Sequence, residues 1–206
     1  MTSPFGLIGA GAQAGEAQDW HGARAHFFAV DDAWADPASR RFGLQSVPTA
    51  LLGLPVAAAV GPPGVRHRMV ELWPGSHFLT IISPRAVVSS SAGIGAGTLI
   101  GPLAVLSVDV EVGRHCLVNI GATLSHDTTI GDFSTVSPGV HVAGRCRIGA
   151  GAVLGIGANV LPGVRVGDGA VIGAGAVLTR DARPGGVYVG IPARHIADRT
   201  EWATTL

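Results

Sequence analysis

From Ile82 onward the chain carries an aliphatic residue at every sixth position. The series runs Ile82, Val88, Ile94, Ile100, Leu106, Val112, Val118, Leu124, Ile130, Val136, Val142, Ile148, Leu154, Val160, Val166, Ile172, Leu178, seventeen hexads without an insertion. Four residues after each stands a small or β-branched residue, from Ala86 through Thr98, Ala122 and Ser134 to Ala182. A period of six matches neither the amphipathic helix nor the alternating strand. It matches a parallel β-helix in which each hexad supplies a short strand and a corner, and three hexads close one triangular coil. The aliphatic residue points into the prism, and the small residue packs inside the corner. Glycine pairs such as Pro138-Gly139, Pro162-Gly163 and Gly167-Asp168-Gly169 suit sharp corners.

Residues just before each inward position must face outward. They form three columns. Leu99, Leu117, Thr135, Val153 and Val171 make an apolar stripe, expected at or near a subunit contact because exposed apolar stripes mark interfaces. The alternative cover is the N-terminal part of the same chain. Glu111, Thr129, Arg147, Arg165 and Arg183 make a solvated, increasingly basic face; Val105, Thr123, His141, Asn159 and Val177 make the third. Cys116 and Cys146 fall on small-residue positions, which makes them buried thiols with no zinc-site spacing. His115 and His141 read as surface residues.

The first 80 residues follow another pattern. "FGLIGAGAQAGEA" (5–17) reads as strand, glycine turn and helix start; "AHFFAVDD" (25–32) as a strand ending in two aspartates; "LPVAAAVGPPG" (54–64) as strand and turn, before a helix over "VRHRMVELW" (65–73). That order suggests a small Rossmann-like unit, with Asp31 and Asp32 where such folds hold a ribose. Gly9, Gly11 and Gly15 give a spacing one residue longer than the dinucleotide fingerprint. A nucleotide or nucleotide-sugar site therefore stands first, a purely structural unit second and a redox dinucleotide site last. The fold class is thus mixed α/β and β: residues 1–80 a Rossmann-like nucleotide-sugar unit, residues 81–206 a β-helix with a C-terminal tail.

Composition narrows the function. Formal net charge is zero, which argues against a nucleic-acid binder or a cationic membrane binder. All 14 basic residues are arginine, so neither a Schiff-base lysine nor a Walker A lysine exists. The apolar stretch at 50–60 is too short to span a bilayer, and the N-terminus lacks a basic leader pattern. The expectation is a soluble, cytoplasmic protein.

Within the hexads, "TLSHDTTIGD" places His126 beside Asp127 at a corner, where side chains point outward without disturbing the core. A neutral imidazole suits general-base work near neutral pH, and an adjacent carboxylate holds its tautomer. One coil further on lies Gly144, whose backbone can approach a reacting group closely and donate to an oxyanion.

Together these motifs resemble the sialic-acid O-acetyltransferase and UDP-amino-sugar N-acetyltransferase family. The similarity rests on "LIGAGAQAGEA", "VNIGATLSHDTTIGDFSTVSPGVHVAG" (118–144) and "VYVGIPAR" (187–194). It implies a left-handed β-helix, a homotrimer and acetyl-CoA as co-substrate. It implies His126 as general base, Asp127 as its partner and Gly144 as oxyanion donor. By the same match Thr135, Gly144, Ile156 and Ala174 line the acetyl-CoA path, and Gly11, Ala12, Gln13, Asp31, Asp32, Gly61 and Asn119 border the nucleotide sugar. Gln13 stands where many relatives have histidine, and Thr135 where some have a CoA-contacting histidine. The resemblance favours N-acetylation of a nucleotide-linked amino sugar in glycan or surface-polysaccharide biosynthesis, with O-acetylation of sialic acid or another sugar second. A non-catalytic assembly subunit is the remote alternative. Zinc-dependent hydration is disfavoured, because His115, His126 and His141 lack the paired spacing of a zinc site, and no metal is expected.

Overall fold

The computed structural model describes residues 3–199 and 202. The remaining residues of the two expected segments, 1–2, 200–201 and 203–206, lie outside the described residues. Near the N-terminus, β1 (Gly6–Ile8), β2 (Phe27–Val30), β3 (Arg41–Gly43) and β4 (Val56–Ala58) form a parallel sheet in the order β3-β2-β1-β4. Helices α1 (Ala12–His21) and α2 (Pro63–Leu72) follow β1 and β4. Helix α1 ends where Gly22 turns left-handed, at φ 76, as its early glycine requires. The edge strand β3 has no counterpart in the pattern read from sequence.

The hexads each form a two-residue strand, from Ile81–Ile82 to Val177–Leu178, stacked in parallel into three faces. The first face holds Leu99–Ile100, Leu117–Val118, Thr135–Val136 and Val153–Leu154; the second Thr123–Leu124, His141–Val142 and Asn159–Val160; the third Glu111–Val112, Thr129–Ile130, Arg147–Ile148 and Arg165–Val166. Partners one coil apart differ by 18, as Thr129↔Arg147 and Arg147↔Arg165 do. The prism is the parallel β-helix that the hexads implied, with the left hand that the family resemblance implied. Inward aliphatics from Ile100 to Leu178 are all buried, as are Cys116, Cys146 and the alanines at the corners. Where a corner residue is a threonine or serine, its hydroxyl bonds the next coil: Thr128 Oγ1 donates to Ala143 O at 3.0 Å and Ser134 Oγ to Gly149 O at 2.7 Å. Ile82 departs from the pattern. It is 43% exposed, because the first coil has no coil beneath it to close the prism.

From Gly97 to Gly175 every sixth residue has positive φ, which places one left-handed residue at each corner. Glycine fills eight of these positions; Leu103, Asp109, His115, Asp127, Phe133 and Arg145 fill the others. An L-residue there is strained by about 1 kcal/mol or more, least for aspartate.

The lower part of the apolar stripe on the first face is covered by the N-terminal part of the chain, the alternative cover, while Val153 and Val171 higher up are half-buried. Leu99 and Leu117 are buried together with Phe5, Leu7, Ala14, Ala17 and Trp20 of the N-terminal layer. Burying each such leucine contributes about 1.5–3 kcal/mol, so this contact fastens the two parts of the chain. Leu99 and Leu117 therefore mark a contact within the chain and not one between copies. Higher up the same face Arg66 of α2, fully buried, replaces the apolar contact. Its Nε donates to His115 O (2.7 Å), Nη1 to Val60 O and to Gly61 O (2.7 Å), and Nη2 to Phe133 O (2.6 Å), Ser134 O (3.2 Å) and Thr135 Oγ1 (3.0 Å). Burial pulls this guanidinium down to about 10, which leaves it charged at neutral pH.

His115 also differs from its surface reading. It is 5% exposed, stacked on Phe133 at 5.0 Å and met edge-on by Phe78 at 4.5 Å. Its left-handed corner position turns the ring under the N-terminal layer instead of into solvent. His141 is exposed as expected, its Nδ1 2.8 Å from Thr123 Oγ1.

Candidate active site

His126 and Asp127 occupy the corner between the strands Thr123–Leu124 and Thr129–Ile130. Asp127 takes the left-handed position with φ 58, which swings its carboxylate beside the neighbouring ring. The Nδ1···Oδ2 distance is 2.7 Å. A carboxylate can only accept there, so Nδ1 carries the proton and the neutral ring presents a bare Nε2. That nitrogen lies over Gly144: a Cβ built on the glycine would stand 2.5 Å from Nε2. Among the described residues no backbone carbonyl accepts from the Gly144 N–H. A proton acceptor and a free amide donor therefore share one corner, which is what addition to an acyl carbon requires.

The other expected site residues lie elsewhere on the chain. Gln13, Gly61, Asn119 and Thr135 line one cavity of about 480 Å³ between the N-terminal layer and the first face, with Ser137, Val153 and Arg199. Gln13 Nε2 is buried there without a partner, while the Thr135 hydroxyl is engaged, donating to Gly61 O at 2.9 Å and accepting from Arg66. Gly11 and Asp31 line a second cavity of about 460 Å³ at the C-terminal ends of β1 and β2. Asp32 sits beside it with Gln45 and Arg68, and Ala12 opens α1 at the exposed glycine turn. Ile156 (63% exposed) and Ala174 lie on the corner between the first and second faces. A full side of the prism thus separates His126 from Ile156, and the N-terminal cavities open on the far side of the coil.

The second cavity contains residues that sequence reasoning missed. Trp34, 73% exposed, and Arg41 form its rim, with Val65 and Met69 from α2 opposite. Trp34 stands in a single turn of 3₁₀ helix, Asp32–Trp34, capped by the Asp31 side chain. An exposed tryptophan three residues after the strand-end aspartate was the available signal. Among the described residues no cluster of three or more histidine, cysteine, aspartate or glutamate side chains could hold a metal ion.

Residues 145–180 match the family model for the bacterial transferase hexapeptide, six repeats. No curated protein matches the chain by sequence. Solved structures match over nearly its whole length. The acetyltransferase domain of PglB from Neisseria gonorrhoeae is 28% identical, covering 94% of this chain and 99% of that one, with a TM-score of 0.80. Perosamine N-acetyltransferase from Caulobacter crescentus, a mutant in complex with CoA and GDP-perosamine, is 26% identical over 96% of this chain and 99% of that one, TM-score 0.83. WeeI from Acinetobacter baumannii is 26% identical over 95% and 100%, TM-score 0.79. In fold and repeat this chain is similar to the hexapeptide-repeat acyltransferases. Its architecture is that of the sugar N-acetyltransferases, as the motifs in its sequence implied.

Proposed function

We propose that the chain transfers the acetyl group of acetyl-CoA to the amine of a nucleotide-linked amino sugar, with His126 as general base. The observation that carries this reading is the His126 corner, where Asp127 holds the ring and Nε2 lies over Gly144. The acceptor nitrogen attacks the thioester carbon, and a C–N bond forms. Nε2 takes the proton from that nitrogen, and Asp127 stabilises the imidazolium that results. The carbonyl oxygen, now negative, receives the Gly144 N–H; collapse then breaks the C–S bond, and the proton returns from Nε2 to the departing thiolate. The two N-terminal cavities suit the acceptor, the Gly11–Asp31–Trp34 cavity its nucleotide and the Gln13–Asn119 cavity its sugar. A structure with the same architecture holds CoA and GDP-perosamine together, and another is a complex with acetyl-coenzyme A.

Because His126 and these cavities face different ways in one chain, we place the working site between copies, in a homotrimer. Three prisms packed through their second faces would bring the His126 corner of one against the Ile156–Ala174 corner of the next. That heterologous contact closes as a ring. Exposed Val87 (62%), Val105 (38%) and Leu161 (40%) on or beside the second face support this choice of interface. We place the protein in the cytoplasm: both cysteines are free, and no helix among the described residues is long and apolar enough to cross a membrane.

The test is release of free CoA from acetyl-CoA with a panel of UDP-, GDP- and dTDP-amino sugars and sialic acids. The proposal expects one nucleotide amino sugar to stimulate release, and His126→Ala to abolish the stimulation. Stimulation by no acceptor, or an unaffected His126→Ala variant, would overturn it.

A further inference from the structure

Positive charge and unpaired donors converge on the Gln13–Asn119 cavity, and nothing on its walls answers them. Arg199, the first residue after the hairpin of Gly186–Val189 and Arg194–Asp198, lines it together with Gln13, Gly61, Gly64, Asn119 and Thr135. The chain is held on both sides of that arginine. The Arg199 N–H donates to Gly185 O at 2.7 Å, and the Trp202 ring meets His67 of α2 at 5.5 Å and Phe133 at 6.3 Å. Behind the wall, buried Arg66 gives its hydrogen bonds only to carbonyls, that of Gly61 among them, and to Thr135 Oγ1, so its charge meets no carboxylate. Helices α1 and α2 both open on the cavity, through Gln13 in one first turn and buried Gly64 in the other. The backbone N–H of each finds no acceptor among the described residues, and Gln13 Nε2 is buried without a partner. Such helix ends carry partial positive charge. Among the described residues no carboxylate lines the cavity, and Arg199 forms no ion pair. Buried donors and a buried cation left unanswered are costly, and an anionic ligand relieves that cost.

We infer that the sugar of the acceptor carries a carboxylate, and that Arg199 binds it. The inference rests on the nucleotide-linked acceptor proposed above, and on the cavity for the charge. Two parts of such an acceptor are anionic oxygen groups of this kind, its diphosphate and a carboxylate on its sugar. Position separates them. Gly11 lines the nucleotide cavity and Gln13 the other, so the glycine turn that opens α1 divides the two. A diphosphate joining ribose to sugar falls at that turn, against the first amide groups of α1, as phosphates at helix N-termini do. The sugar then lies beyond it, where Arg199, the Gly64 N–H and the charge of Arg66 still lack an anion. A carboxylate there can take two parallel N–H···O bonds from the planar fork of Arg199. A sugar without one leaves those donors desolvated and unpaired, which is how a site built for a polar group rejects the analogue that lacks it.

The probes are two matched pairs, UDP-glucuronate with UDP-glucose and GDP-mannuronate with GDP-mannose, together with UDP and GDP alone. Each is titrated calorimetrically into wild type, Arg199→Gln and Arg199→Lys. In the series whose base the protein accepts, the uronate should bind about tenfold or more tighter than its neutral partner, the worth of one charge-assisted pair. Arg199→Gln should bring that ratio close to one, and Arg199→Lys, which keeps the charge, should retain part of it. Equal affinity for uronate and neutral sugar in wild type would overturn the inference, as would a ratio that survives Arg199→Gln or binding of none of the probes. If Arg199→Gln weakens UDP or GDP alone as much as the uronate, the anion in the cavity is the diphosphate and the carboxylate inference falls. Acetyl transfer to a neutral nucleotide amino sugar, without any preference for the uronates, would overturn the inference and leave the acetyl-transfer reading standing. An Arg199-dependent preference with no acceptor acetylated would do the reverse.

Discussion

The imidazole of His126 rests on Gly144, one coil above it, so closely that any side chain at residue 144 would displace the ring. Gly144 is itself buried, and no positive φ demands glycine there; the close approach does. Gly144→Ala should therefore lower kcat by about 10²-fold or more, through a misplaced base and a shielded amide donor. Circular dichroism and the melting temperature should change little, since the ring can swing outward into solvent. Near-normal kcat in Gly144→Ala would mean that the corner is not where chemistry occurs.

Asp127 separates two roles, because it holds both a left-handed corner and the His126 Nδ1 proton. Asp127→Asn keeps a residue tolerant of that backbone and removes only the charge. It should fold like wild type and lose about 10- to 100-fold in kcat, with KM for acetyl-CoA unchanged. Asp127→Gly should give a similar loss. Full activity in both would deny the carboxylate a part in the reaction.

Trp34 offers a platform for a base at the rim of the N-terminal cavity. Stacking of a base on an aromatic side chain contributes roughly 1–3 kcal/mol. Trp34→Ala should accordingly weaken nucleoside diphosphate binding at least fivefold, and Trp34→Phe considerably less. Ligand quenching of tryptophan fluorescence, lost in Trp34→Phe, provides the readout. Equal affinities in all three proteins would remove Trp34 from the site.

Burial beside Arg114 and Arg66 pulls His115 from its ordinary 6.5 down to about 4, and Asp132 nearby offsets this only in part. Its folded value lies below its unfolded value, so the unfolded chain binds the extra proton between them. The stability that depends on neutral His115 is complete above pH 6.5 and is lost as pH falls toward 4. From pH 7.5 to pH 5 the loss amounts to about 2 kcal/mol. Urea midpoints should fall across that window in wild type and much less in His115→Asn, which suits the left-handed backbone. Identical pH dependence in the two would contradict the assignment.

The prism was legible because its rule is local and repeated: one aliphatic and one small residue per hexad determine strand, corner and core. The His126–Asp127 pair was legible for the same reason, as its register could be counted from Leu124 to Ile130. What covers the outer surface was not. The pattern records that Leu99 and Leu117 are apolar, but only the packing of Trp20 and Ala17 against them tells a domain contact from a subunit contact. Arg66 escaped notice and His115 was misplaced on the surface, because neither a buried guanidinium bonded to five carbonyls and a hydroxyl nor a histidine turned inward at a corner has a periodic signature. Trp34 and Arg41 belong to short, irregular connections, where spacing carries little information.

The central claim is that one copy supplies His126 while a neighbouring copy supplies the acceptor cavity. Two variants separate these contributions. His126→Ala removes the base, and Gly11→Phe fills the nucleotide cavity from a position with open space around it. Each alone should be inactive. Co-expressed in equal amounts, they should regain acetyl transfer at about a quarter of the wild-type rate, the share of contacts in a random trimer that join an intact corner to an intact cavity. Activity no higher in the mixed protein than in either variant alone would contradict the account.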